Sequence, residues 1–168
     1  MLSKSSPGNT LLWVAAGAAA GTLAVWVMDR LDWYAYKRMP ERDRQRTIDA
    51  RPQGMDPAHV MADKVAGLAG KHVEQPHPAG MAIHYSLGML PGALYGALYD
   101  KVPLLGAGRG SLFGLGLFLA QDEGLNTLMG LSGKPGEYPW QDHARGLAAH
   151  VLFGVVTDTA IRFLRNRL

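Results

Sequence analysis

Asp122 and Glu123 stand side by side in SLFGLGLFLAQDEGLNTLMGL (111–131), a segment with no other charge. His84 falls inside a second such segment, AGMAIHYSLGMLPGALYGALY (79–99). His150 and Asp158 fall inside a third, ARGLAAHVLFGVVTDTAIRFL (144–164), whose two arginines lie near its ends. Imidazoles and carboxylates among apolar residues can do three things. They can pair and fix helix register, Asp122 or Glu123 with His150 or Arg145. They can pass protons or small ions, for which histidine and carboxylate are the usual relay groups. Or His84 and His150, from different segments, can ligate a haem iron or join a carboxylate-rich metal site. Asp122 and Glu123, being adjacent, would point in different directions from a regular α-helix. No His–Glu spacing of a di-metal bundle is present, so neither a metal set nor a cofactor is assigned. Asp29, Arg30 and Asp32 read as interfacial charges that need no function.

Other chemistries lack their residues. There is no cysteine, hence no disulfide and no thiolate site. No phosphate-binding loop, nucleophile elbow or zinc-protease pair occurs. Gly106-Ala107-Gly108-Arg109-Gly110 only imitates a phosphate loop, without the strand that motif needs. The expectation is a protein that is not an enzyme. The net charge of +3 comes from basic residues beside apolar runs, which suits anionic lipid and gives no reason to invoke nucleic acid.

The elements that would carry these groups are long apolar helices. Thr10 to Met28 is nineteen residues without a charge, reaching about 28 Å, close to a hydrocarbon core of about 30 Å. Trp26, Trp33, Tyr34 and Tyr36 follow like an interfacial belt, and Lys4 alone precedes it, so the run reads as a retained anchor. The chain is 18% charged, below the usual quarter or so, and its charges crowd into the middle. Mean hydropathy, −0.03, does not by itself decide for a membrane; the distribution does. The fold expected is an all-α polytopic membrane bundle in one domain over 1–168, with about four spans near 10–30, 79–99, 110–131 and 144–164. Pro91 should kink the second. The polar stretch 31–78 should hold one amphipathic interfacial helix over Pro57–Val73, opened by Asp56-Pro57 after a turn at Arg51-Pro52-Gln53-Gly54.

Small residues recur every four positions. One row is Gly80, His84, Gly88, Gly92, Gly96 and Asp100; another Gly106, Gly110 and Gly114; a third Gly146, His150, Gly154 and Asp158. Gly17 and Gly21 share a face of the first segment. In lipid such rows let backbones approach and supply the attraction that apolar burial cannot, whereas in water each helical glycine costs about 1 kcal/mol. This predicts glycine-zipper packing through Gly17, Gly21, Gly88, Gly92, Gly96, Gly110, Gly114, Gly146 and Gly154. It puts His84, Asp122, His150 and Asp158 on inward faces, with Glu123 beside them. The Gly17/Gly21 face would be left over for another chain, in a homo-oligomer or with a membrane-protein partner.

The C-terminal half resembles the YagU-like group of small bacterial inner-membrane proteins. The resemblance rests on HYSLGMLPGALYG from His84, AQDEGLNTLMGLSG from Ala120 and YPWQDHARGLAAHVLFGVVTDTAIRFLRNR from Tyr138. Asp122-Glu123, Gly130-Leu131-Ser132, His143, His150 and Gly154 are its motif positions. It implies a multi-pass inner-membrane protein with a link to acid or envelope stress, and no reaction, substrate or cofactor. The function expected is therefore membrane packing or partner binding without catalysis. Proton or ion conduction is the first alternative, and a haem- or metal-binding subunit the second. Four spans would put both termini on one side. The C-terminal arginines 162, 165 and 167 and the resemblance favour the cytoplasm for it; eleven of the seventeen Lys and Arg fall on the other.

Overall fold

The computed structural model describes residues 7–167, and all regular structure in them is helical. Lys4, weighed above in the first segment, lies outside the described residues. Helix α1 runs Pro7–Tyr36, followed by α2 (Glu41–Ala50), α3 (Pro57–Gly67) and α4 (Pro78–Leu98). A connection with a tight helical stretch over Pro103–Gly110 leads into α5 (Ser111–Leu117). That helix widens into a π-helical stretch, Phe118–Leu125, and closes with α6 (Asn126–Leu128). Helix α7 is Trp140–Arg165.

Three runs are long and apolar enough to cross a membrane: Thr10–Tyr36, Pro103–Leu128 and Trp140–Arg165. The 21 residues of α4 have the length, about 31 Å, but His84, Tyr85, Ser86 and two prolines dilute its apolar character. The chain runs helical through Pro91.

The bundle is apolar outside and small or polar inside. Leu11, Leu23, Leu90, Leu94, Leu112, Leu119 and Phe163 are exposed, whereas Gly88, Gly92, Gly96, Gly114, Gly154, His150 and Asp158 are buried. Water would favour the reverse; lipid permits this arrangement. Helix α1 lies against both α4 and α7, and α5 lies against α7. A Cβ placed on Gly92 would sit 2.7 Å from Gly21 Cα, and one on Gly21 2.5 Å from the Gly88 carbonyl oxygen. On the other side, a Cβ on Gly154 would sit 2.8 Å from Gly114 N. Gly110, at φ 84°, both starts α5 and admits the α7 backbone, so two requirements exclude a side chain there. Gly17 and Gly21 are thus used up against α4. They do not form a spare face for a second chain, because the rows on α1 and α4 are complementary within one chain.

The 37–78 stretch differs from expectation in physical detail. It holds two helices, not one. Helix α2 is so polar that apolar periodicity could not find it, and its Arg46 guanidinium donates to the backbone oxygens of Glu137 (2.8 Å) and Gly136 (3.0 Å). Helix α3 opens at Asp56-Pro57 as expected, the Asp56 side chain accepting the His59 N–H, but it ends at Gly67, well short of Val73. It also buries polar groups. The His59 ring lies on Gly80 of α4, its Nδ1 bonded to Asp56 (2.8 Å) and its Nε2 accepting the His77 N–H (3.1 Å). Asp63 accepts from the Val73 N–H (2.9 Å), which holds its carboxyl below the ordinary range; Gln53 and His72 act in the same direction. These two helices and the 129–139 turn form a polar cap on one end of the bundle, where α4 and α7 begin.

Candidate functional site

Beneath the cap a cavity of about 1130 Å³ opens between α1, α4, the π-helical stretch and α7. Its floor is apolar, with Val25, Leu117 and Phe153, and its walls carry the ionisable groups. Each wall is supplied by a different helix. The last turns of α1 give Asp29 and Asp32, spaced three apart and so on one face. Helix α4 gives His84 and α7 gives Asp142, His143, Arg145 and His150.

The π-helical stretch gives Gln121, Asp122 and Glu123 together. On an α-helix neighbouring residues are rotated by about 100°, which underlay the expectation that Asp122 and Glu123 diverge. Here the turn is wider, as marked by the Asn126 N–H bonding back five residues to the Gln121 carbonyl. Both carboxylates then face one cavity. No residue in the sequence announces such a turn, although π-turns recur at functional sites.

Four pairings line the walls. The His84 ring meets Asp29 through Nε2 at 2.9 Å. Arg145 is clamped between Asp32 and Asp142 (2.5 Å), tying α1 to α7, while its Nε has no partner. His143 meets Glu123 through Nδ1 at 2.6 Å and the Pro135 carbonyl through Nε2 at 3.0 Å. A carbonyl only accepts, so Nε2 carries a hydrogen, and a proton must also sit between Nδ1 and the carboxylate, whichever atom owns it. His150 donates Nδ1–H to the Gly146 carbonyl (3.0 Å) and stands 3.6 Å from Asp122. Asp122 is the loosest of the set, with one 3.4 Å bond from Asn126. Tyr138 also lines the cavity, its hydroxyl accepting the Gly133 N–H at 3.1 Å; burial raises its phenol above the ordinary value.

The cavity thus gathers His84, Asp122, Glu123 and His150, four of the five ionisable residues singled out from sequence. Asp158 lies elsewhere. It is fully buried near the opposite end, accepting from Tyr95 Oη (2.6 Å) and Arg162 Nε (2.6 Å). Between the two polar sites lies an apolar plug of Ala24, Val25 and Phe153, with Phe113 and Leu117 against it. Asp29 and Asp32 were set aside as interfacial, and here the reading needs correction: each holds a cavity partner. Their shared face was readable, but their partners lie 55 and 113 residues away in sequence. The pairing of Asp122 or Glu123 with Arg145 does not occur; Glu123 takes His143 instead. Among the described residues no group of three histidine or acidic side chains is placed to hold a metal ion.

No family model matches the chain, and neither a curated protein nor a solved structure does.

Proposed function

We propose that the protein is a multi-pass inner-membrane protein of four spans, with α4 as the fourth, that accepts protons or a small cation in this cavity and carries them across the bilayer. The observation that supports it most is the convergence of three His–carboxylate pairs, from four separate helical runs, on one cavity beneath a polar cap. Seven carboxylates line it against two guanidiniums, Arg51 and Arg145, which favours cations over anions. Ionisable side chains at membrane depth are costly and rarely kept without a use. The plug of Val25 and Phe153 argues for a carrier that opens in turns, since an open pore would need a continuous wet path. Glycine-zipper contacts of α1 with α4, and of α5 with α7, give the rigid halves such a carrier requires.

Five YagU-like motif positions, Asp122, Glu123, Ser132, His143 and His150, line the cavity, which suits membership of that group and a part in acid stress. Reconstituted in liposomes with an internal pH dye, the wild type should pass protons down an imposed gradient. Asp122→Asn and His150→Ala should abolish that flux. A wild type that passes none defeats the carrier reading and leaves a scaffold that acts through membrane packing or a partner. The outward apolar face of α1, with Leu11, Leu12, Leu23 and Trp26 exposed, is what favours that second reading.

A further inference from the structure

The cavity is far larger than a proton or a bare ion needs. Sites for drug-sized molecules span about 300–1000 Å³, and this one slightly exceeds that range. Most of its ionisable groups are held in short bonds by the partners described above. Asp122 and His150, whose approach through His150 Nδ1 is 3.6 Å, are not. Asp122 has only neighbours at 3.4 and 3.6 Å, longer than a charge-assisted bond of about 2.8 Å. His150 is 8% exposed and lines the cavity, and its Nδ1 is committed to the Gly146 carbonyl. Its Nε2 has no hydrogen-bond partner among the described residues. With the hydrogen fixed on Nδ1, a neutral ring offers Nε2 as an acceptor. An unsatisfied carboxylate and an unsatisfied acceptor therefore stand on adjacent helices, beside the Phe118 ring, which packs 5.9 Å from the imidazole. The floor below them is Phe153 and Val25.

We propose that the cavity binds a protonated organic amine, its ammonium held by Asp122 and His150 Nε2 and its apolar body resting on Phe118 and Phe153. The chemistry selects this class. An anion would meet seven carboxylates. A divalent metal would want six or more oxygen ligands, and the carboxylates here are tied into separate pairs. A quaternary ammonium would meet Asp122 by charge alone and has no N–H for either Asp122 or His150. A primary ammonium supplies charge, donor and, in its substituent, a body that the aromatic wall and apolar floor accept. The assignment rests on the cation-carrier reading above and names its cargo.

The test is calorimetric titration of the full chain in lipid nanodiscs, with empty nanodiscs subtracted. The probes are 2-phenylethylammonium, its N-trimethyl analogue, 2-phenylethanol and 3-phenylpropionate. The primary ammonium should bind. The trimethyl analogue should bind more weakly by about thirtyfold or more, for want of the hydrogen bonds to Asp122 and His150. The alcohol should lose about thirtyfold or more, and the carboxylate should not bind. Asp122→Asn should weaken the primary ammonium by about thirtyfold, and Asp122→Glu, which keeps the charge, by far less. His150→Phe should narrow the difference between the primary and trimethyl probes by about fivefold, leaving the part due to Asp122. Each variant is first matched to wild type by elution volume and melting temperature, and Asp122→Glu carries the test should Asp122→Asn fail to match. Equal binding of the alcohol or the carboxylate overturns the assignment, as does unchanged affinity in both Asp122 variants. Proton flux without amine binding overturns it while leaving the proton carrier in place. Amine binding without any flux upholds it and removes the transport reading.

Discussion

Helix α7 carries a carboxylate partner near each of its ends, and the two are treated oppositely. Asp158 is 0% exposed, with each carboxylate oxygen taking a 2.6 Å bond, one from a tyrosine and one from an arginine. Tyr95, beside it, is equally buried and packs on Phe113 at 4.8 Å. About two helical turns beyond Asp158, Arg165 grips Asp100 with two bonds, 2.6 and 2.5 Å, and lies over the Trp13 and Tyr99 rings. That end is closed and both of its carboxylates, Asp158 and Asp100, have short partners, although Thr157 Oγ1 and Arg165 Nε have none. At the other end the Asp122 side chain is 34% exposed to the cavity and its bonds are long. The residue types are similar; what differs is satisfaction. A buried carboxylate with a short bond to each oxygen fixes register and resists change, whereas one left short of partners can take a ligand. The comparison separates an internal charge that is held on both sides from one that is free to take a partner.

Mutation should widen that contrast. Asp158→Ala removes the partner of the buried Tyr95 hydroxyl and of the half-exposed Arg162 guanidinium and should cost about 2–4 kcal/mol, read as a drop in melting temperature in detergent. Asp122→Asn should cost less than about 1 kcal/mol by the same assay, while removing function. A reversal of that order would break the distinction between the two ends. Next in size is Gly92→Ala, whose methyl would strike the Gly21 backbone, at about 1–3 kcal/mol. Its control is Gly116→Ala, on the same kind of apolar helix but with nothing within 4 Å, which should be neutral or gain up to about 1 kcal/mol. Tyr95→Phe leaves the aromatic contacts and removes one bond to Asp158, for about 1 kcal/mol.

The smallest effect concerns the cap. Asp63 is held in its ionised form by the Val73 N–H, so its carboxyl titrates below the unfolded value of about 3.9. Its contribution to stability is complete above that value and is lost as the pH falls through the lower, folded one. Acid titration of the cap should therefore show Asp63→Asn with a flatter stability profile below about pH 4 than the wild type. Identical profiles would remove Asp63 from the acid response.

How far the residues themselves foretold these features depends on the range of the interaction. Glycine rows and apolar runs are local, so the sites of close approach on α1, α4, α5 and α7 could be named from spacing. The inward stripe of His150, Gly154 and Asp158 followed from the same periodicity. That Gly17 and Gly21 meet Gly88 and Gly92 could not, because it depends on which helix lies beside which. The Arg145 clamp was hidden for the same reason, although Asp142 three residues before it gave half the pattern. Helix α2 was missed because its stability comes from polar contacts to the 134–141 turn, including Gln141 to Asp43 at 2.7 Å, and not from an apolar face. Asp158 was grouped with the other acids since burial inside a tyrosine–arginine pair has no signature along the chain.

The wide turn between Phe118 and Leu125 carries one further consequence. It behaves as a single surplus residue spliced into an otherwise regular rod. Removing one residue there would restore ordinary pitch and swing everything on one side of the splice by about 100° relative to the other. A deletion between Phe118 and Asp122 would therefore cost either the two neighbouring acids or the glycines that seat this rod on α7 their aim. The seat of the rod and the aim of its charges are joined by one backbone irregularity, and a chain one residue shorter between them could keep only one of the two.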